Sequence, residues 1–141
     1  MWYRDRGIRS ARGSALIEFA LVFMLLMLLL FGIIEFGLML YDEQVLTNAA
    51  REGARAGIIQ QNPRVSDAAI KAVVTDYAAA HLVTFGNDQL TASDVTITRT
   101  GTNFGNSLTV RVNFNYDFVL LPSLIEGMVG SLQATSVMKY E

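Results

Sequence analysis

An unbroken apolar run near the N-terminus constrains this chain more than any other feature. No side chain from Phe19 to Ile34 is charged, and as a helix this stretch covers about 24 Å. Leu16, Ile17 and residues 36–40 extend the run past the roughly 20 residues that cross a bilayer. Because lipid offers no hydrogen-bond partner to an open backbone, such a run has to be helical. The sequence therefore predicts one membrane-spanning helix.

An acidic residue lies near each end of this run, Glu18 at its start and Glu35 at its end. The Leu, Ile, Phe and Val side chains between them contribute roughly −4 to −7 kcal/mol to membrane insertion. A carboxylate opposes insertion by about 2.5 to 3.5 kcal/mol at mid-membrane and by less near an edge. Insertion is therefore favoured. The alternative, a buried core helix of a soluble protein, would be apolar on every face within a small domain.

Charge is unevenly distributed along the chain. Residues 1–13 carry four arginines and one aspartate, although the net charge of the 141 residues is −2. A basic patch directly before a span predicts a cytoplasmic N-terminus and a translocated C-terminal part. The acidic remainder gives no reason to expect nucleic acid as a partner. Cysteine is absent, which excludes disulfides, thiolate metal sites and cysteine nucleophiles.

The apolar run is not followed by a signal-peptide cleavage site. It ends in Leu40-Tyr41-Asp42-Glu43 rather than in small residues of the Ala-x-Ala type. No proline interrupts residues 42–59, so one helix is expected from about Ser14 to Gly57. The predicted divisions are a basic leader at 1–13, a transmembrane and assembly helix at 14–41, a helix extension at 42–62, and an extracytoplasmic α+β domain at 63–141.

The helix extension carries small residues at regular spacing, which let another backbone approach closely. The residues predicted to pack against another subunit are Ala49, Arg51, Gly53, Arg55 and Gly57. The two arginines are like charges at i, i+4, which is slightly unfavourable within one helix. They form either a solvated face or a pairing across subunits, with Asp42 and Glu43 as the candidate acids.

A second, shorter helix is predicted after Pro63. Ser66 is a good N-cap and Asp67 suits the first turn. Apolar residues then recur with helical spacing as far as Leu82. The Phe85-Gly86-Asn87-Asp88 stretch is expected to end this helix.

Strands are predicted in the remainder of the chain. Val95 to Thr98 alternates, residues 101–107 resemble a turn, and residues 108–118 alternate between apolar and polar side chains. The two runs are typical of a hairpin with one wet face. Leu120 to Val129 is either a short helix or an apolar loop, and residues 132–140 form a last strand. The fold class is therefore α+β, with an antiparallel sheet.

No residue pattern supports catalysis or metal binding. His81 is the only histidine and lies on an apolar helix face, where a structural role is expected. Asn87, Asp88 and Asp94 do not follow the spacing of a calcium loop. No Ser-His-Asp constellation or nucleophile elbow is present. The sequence therefore predicts no enzyme, no catalytic residues, no metal and no cofactor.

The residues that begin the apolar helix form a recognisable motif. Arg12-Gly13-Ser14-Ala15-Leu16-Ile17-Glu18-Phe19 resembles the processing site of type IV pilin-like proteins. The resemblance implies that a prepilin peptidase cuts after Gly13. Ser14 would then be the mature N-terminus, with Glu18 as the fifth residue and Phe19 as the sixth.

A closer resemblance is to the TadE-like family of tight-adherence pseudopilins, and it extends over residues 13–57. The motifs that carry it are Arg-Gly-x-x-x-x-Glu-Phe at 12–19, Gly-Ile-Ile-Glu-Phe-Gly at 32–37, and Ala-Ala-Arg-Glu-Gly-Ala-Arg at 49–55. The resemblance implies a single-pass protein of the bacterial inner membrane that becomes a minor pilus subunit used in surface attachment. The implied partners are prepilin peptidase, other pilin subunits, the pilus assembly platform and membrane lipid.

The residues expected to serve assembly are Glu18, Phe19 and Glu35. Cleavage frees an ammonium at Ser14, and a neighbour's ammonium would neutralise Glu18 and relieve its desolvation cost. Glu35 is either an edge residue that reaches the headgroups or a contact with another subunit. The competing functions are an unprocessed single-pass anchor with a protein-binding domain, a major filament subunit, and a membrane-tethered hydrolase that lacks any visible catalytic cluster.

Overall fold

The computed structural model describes residues 7–84, 89–118 and 131–140, with side chains in the first helix from Gly13 onward. The short helix or apolar loop predicted at 120–129 falls outside these residues. Residues 85–88, which were predicted to end the second helix, also lie outside them, but that helix has already ended at His81. The described elements are two helices and a three-stranded antiparallel sheet. They confirm the predicted α+β class.

Helix α1 (Gly7–Ile58) is one continuous helix of 52 residues, about 78 Å long. It begins before the predicted Ser14 and ends close to the predicted Gly57. Its most apolar window of 18 residues has a mean hydropathy of 2.8 and is not buried. The helix is therefore long and apolar enough to cross a membrane, and its exposure argues against a buried core helix.

Helix α2 (Asp67–His81) begins where the capping signal predicts. The Ser66 side chain accepts a hydrogen bond from the Ala69 N–H at 3.2 Å, which satisfies one of the unpaired donors of the first turn. The helix buries Ile70, Val74 and Ala78 along one face. It ends at His81, where Leu82 turns to an extended conformation.

Strands β1 (Val95–Arg99), β2 (Ser107–Phe114) and β3 (Leu132–Lys139) form a sheet in the order β1-β2-β3. β1 and β2 are the predicted hairpin, with Arg99 opposite Leu108. In the connection, Gly105 has a φ of 84°, which a side chain would disfavour. Its N–H donates a hydrogen bond to the Tyr140 carbonyl at 2.9 Å, so the turn is tied to the end of β3.

The prediction of a strand as far as Phe118 is wrong at its end, because β2 stops at Phe114. The alternation continues, but residues 115–118 leave the sheet. The physical reason is a contact with α1. Tyr116 turns its buried side chain toward that helix and bonds it through the hydroxyl group.

The core lies between the sheet and the two helices. α1 packs against β2 and β3, while α2 packs against α1 and touches β1. The buried core of α1 starts at Val45 and Leu46, so the outer part of this helix belongs to the domain interior. We call residues 13–34 of α1 the anchor half and residues 35–58 the domain half.

Candidate functional site

The predicted cleavage site lies on the exposed surface of α1. Gly13 and Ser14 are both exposed, and a Cβ added at Gly13 would meet no other atom within 4 Å. The absence of a side chain at Gly13 therefore has no packing reason among the described residues.

Glu18 and Phe19 follow one turn later, and both are exposed. Phe19 stacks on Phe23 of the next turn, with ring centroids 5.8 Å apart. Apart from Met27 and Gly32, which are half-exposed, every residue of the anchor half is exposed. The anchor half thus offers a continuous apolar surface with one carboxylate near its beginning.

Glu35 lies in a different environment from Glu18, because its side chain is completely buried. The Tyr116 hydroxyl donates a hydrogen bond to Glu35 Oε1 at 3.2 Å. Burial and the nearby Glu35 carboxylate both raise the pKa of Tyr116 above its ordinary value, so the phenol stays protonated and can donate. The sequence did not name a partner for Glu35, and the structure supplies one within the chain.

Asp42 lies two turns beyond Glu35, on the same face of α1, and is also completely buried. Its Oδ1 accepts a hydrogen bond from the Val83 N–H at 3.0 Å. Burial raises the pKa of the Asp42 carboxyl, and the Val83 N–H opposes that shift. Because Asp42 is enclosed, it is not available to Arg51 or Arg55 of a neighbour, which leaves Glu43 as the candidate acid.

The small residues predicted to pack against another subunit lie instead in the interior of the chain. Ala49, Gly53 and Gly57 are all buried. A Cβ at Gly53 would be 2.4 Å from Val74 Cγ2, and one at Gly57 would be 2.4 Å from Leu108 Cδ2. The close approach that these residues permit is used by α2 and β2 of the same chain.

Arg51 and Arg55 remain on the outside of the domain half. Both are exposed, and Arg55 lies 3.6 Å from Glu52 in an exposed pair. Such a pair contributes little to stability. Of the residues predicted for subunit packing, these two are the ones whose side chains remain accessible to a second subunit.

Sequence reasoning missed the role of Tyr116. The alternation of residues 108–118 places Tyr116 in a row with Phe114 and Phe118, which predicts core aromatics or an adhesive surface. A signal was present in the sequence. A carboxylate that is buried needs a donor, and Tyr116 is the aromatic of that row with a hydroxyl group. The pattern does not show that this hydroxyl meets a residue 81 positions earlier in the chain.

No group of three or more His, Asp or Glu side chains comes together as a metal site within the described ranges. The anchor half of α1 is thus exposed and apolar, whereas its domain half packs into the domain and carries two buried carboxylates, Glu35 and Asp42.

Comparison with known proteins agrees with the sequence motifs. The family model described as TadE-like protein matches residues 13–55. No curated protein and no solved structure matches the chain. The match supports an association with the tight-adherence pilus, whose components it would then contact. It begins at the predicted cleavage site and ends in the domain half of α1, so the resemblance to the TadE-like family is confirmed over this part of the helix.

Proposed function

We propose that this chain is a minor pilin-like subunit of a tight-adherence pilus, cleaved after Gly13 by a prepilin peptidase. The observation that carries the proposal is the Gly13-to-Phe19 motif at the start of an exposed apolar helix. Exposure on every side suits a helix that lies first among lipids and later among other helices. The protein takes part in surface attachment as a structural component and not as an enzyme.

Cleavage would change the charge at the cytoplasmic end of the helix. It removes the four arginines of the leader and leaves an ammonium at Ser14. The helix then begins with a positive charge about 6 Å along the axis from Glu18. In a bundle of parallel helices, the ammonium of one subunit can approach the Glu18 carboxylate of the next and relieve the cost of its desolvation.

The two acids of the span differ in their availability for such a contact. Glu35 is buried against Tyr116 of its own chain, whereas Glu18 is exposed. Glu18 and Phe19 are therefore the residues that we assign to contacts between subunits. Glu35 serves assembly indirectly, because it fixes the domain to the helix that enters the filament.

The topology follows from the basic leader. Arginines before the span hold the N-terminus in the cytoplasm of a bacterial inner membrane, and the domain faces the periplasm. Once the subunit enters the pilus, the domain lies outside the cell. Arg51 and Arg55 are then exposed on the outer part of the helix, where Glu43 of a neighbouring subunit is a suitable partner.

The decisive measurement is the intact mass of the membrane-extracted protein from cells with and without the prepilin peptidase. We expect the mass to fall by residues 1–13 only when the peptidase is active, and a Gly13→Leu variant to keep the full mass in both. Native protein that retains Met1 to Gly13 beside an active peptidase would instead favour the unprocessed anchor. Abundance in sheared pili would distinguish a major subunit from a minor one.

A further inference from the structure

The Asp42 carboxylate is enclosed in the domain with only half of its hydrogen-bonding capacity used. Its side chain is completely buried, and Oδ1 accepts the Val83 N–H. Among the residues that the structure describes, none donates a hydrogen bond to Oδ2. A buried carboxylate oxygen without a partner is costly, so a ligand that satisfies it would stabilise the fold.

The chain does not bring a basic side chain to this carboxylate within the described ranges. The described ion pairs join Arg55 to Glu52 and Arg99 to Asp67. Lys71 donates to the Ala92 carbonyl, and Arg64 lies over the Tyr140 ring. The sequences of segments 85–88 and 119–130 contain no lysine, arginine or histidine. Among the residues that the structure describes, no ion pair reaches Asp42, so a cation at this carboxylate would come from solution.

Asp42 lines a small cleft together with several other polar residues. The cleft measures about 10 Å³ for a water-sized occupant, which is room for a single water molecule or ion. The lining residues that carry a side-chain oxygen are Asp42, Thr84, Asn115, Tyr116 and Asp117. The Tyr116 hydroxyl already donates to Glu35. The other four residues supply two carboxylates, an amide and a hydroxyl group, a set that suits hard cations and not soft metals.

We propose that this cleft binds one hard divalent cation, Ca²⁺, between Asp42 and Asp117. The cation would join three separate segments of the chain: α1 through Asp42, the residues after α2 through Thr84, and the residues after β2 through Asn115 and Asp117. Two carboxylates would neutralise the charge of the ion. This site does not depend on the proposed role in the pilus, since it follows from the domain alone.

The affinity should be modest. Two carboxylates and neutral oxygens give fewer charged ligands than a high-affinity loop, and extracellular calcium modules of this kind have dissociation constants of about 10⁻⁴ to 10⁻³ M. Binding to the folded state alone would raise its thermal stability. At Ca²⁺ about a hundredfold above the dissociation constant, the unfolding midpoint should rise on the order of 10 °C.

The test uses the full chain in detergent micelles and Tb³⁺ as a luminescent probe. Tyr116 lines the cleft, so excitation of tyrosine should produce saturable Tb³⁺ emission that Ca²⁺ displaces. Isothermal calorimetry with Ca²⁺ alone measures the affinity independently. Absence of saturable binding up to about 10 mM Ca²⁺, well above the expected range, would refute the proposal in favour of a water molecule or a protonated carboxyl.

Three variants locate the site. Asp42→Asn keeps an acceptor for the Val83 N–H and should lose saturable binding. Asp117→Asn changes an exposed residue, should fold normally, and should weaken binding roughly tenfold. Asp76→Asn removes an exposed carboxylate from α2, away from the cleft, and should bind like the parent protein.

The stability of these variants gives a second readout. Without added cation, Asp42→Asn should be as stable as the parent or more stable, because it removes an uncompensated buried charge. With Ca²⁺, only proteins with an intact cleft should show the rise in midpoint. If Asp42→Asn does not fold, Asp117→Asn decides the matter. If both variants fold, parent-like binding by both would overturn the assignment. If only Asp117→Asn folds, parent-like binding by that variant would overturn it.

Discussion

The anchor half and the domain half of α1 belong to the same helix but are built for different neighbours. The anchor half carries large apolar side chains that remain exposed, such as Phe19 at 66% of its surface. The domain half carries small residues that are buried, such as Ala49 and Gly53, against α2 and the sheet. Within α1, the large apolar residues of the anchor half are therefore left accessible, whereas Ala49 and Gly53 face the interior of the chain.

The acidic residues follow the same division. Glu18 lies exposed in the anchor half, whereas Glu35 and Asp42 are buried at the start of the domain half. The buried acids meet a phenol and a backbone N–H of the domain. Glu18 is therefore available to another molecule, whereas Glu35 and Asp42 hold α1 to the rest of its own chain.

The largest expected effect on stability comes from adding a side chain at Gly53, where α1 packs closely against α2. A Cβ at position 53 would lie 2.4 Å from Val74 Cγ2, so Gly53→Val forces side-chain atoms into space that Val74 occupies. Overpacking of this kind should reduce the free energy of unfolding by about 1–3 kcal/mol. Urea titration in detergent micelles, followed by near-ultraviolet circular dichroism of the aromatic residues, measures this loss.

Gly37→Val is the matched control for that substitution, because it makes the same change in helix propensity at a site with nothing within 4 Å. It should leave the stability of the domain near that of the parent. Equal losses in the free energy of unfolding at both positions would contradict the role assigned to the packing of Gly53 against α2.

A smaller loss of stability is expected when the hydrogen bond between Tyr116 and Glu35 of α1 is removed. Tyr116→Phe takes away the hydroxyl group that donates to Glu35. We expect a loss of about 1 kcal/mol, since Glu35 has a further interaction. Tyr41→Phe removes a hydroxyl group from an exposed residue of α1 and should change stability much less. No difference between the two variants would contradict the role of Tyr116.

The smallest change in stability is expected for Glu18→Ala. Its side chain is exposed, so unfolding of the domain should change by less than about 0.5 kcal/mol. Membrane insertion and cleavage should persist, while incorporation into sheared pili should be lost. Immunoblots of the membrane and sheared fractions measure both. Normal amounts of the variant in the sheared fraction would mean that Glu18 is not needed for subunit contact.

The elements of this fold were predictable because each depends on local pattern. The apolar run specified α1, Ser66 specified the start of α2, and alternation specified the hairpin. Helical spacing shows that a face is buried but not what covers it. For that reason the small residues at 49, 53 and 57 were assigned to another subunit, although all three are buried in the chain and α2 and β2 lie against Gly53 and Gly57.

The contacts of the two buried acids were not predictable from pattern. Glu35 meets Tyr116 across 81 positions, and Asp42 meets Val83 across 41. Such pairs are fixed only when the sheet, α2 and α1 are in place together. The wrong end assigned to β2 has the same origin. Tyr116 lies beyond the strand and contacts α1, but apolar and polar residues still alternate as far as Phe118, so the pattern does not reveal where the strand ends.

The absence of any break in α1 between Gly13 and Ile58 has a mechanical consequence. A tilt or rotation of the rod within a bundle would be carried directly to the sheet, since no flexible joint lies between them. Tension along the axis would likewise be borne by the packed interior around Leu46 and Ile70. The resistance of the domain to a pulling force would then depend on how tightly α2 and the sheet pack against α1.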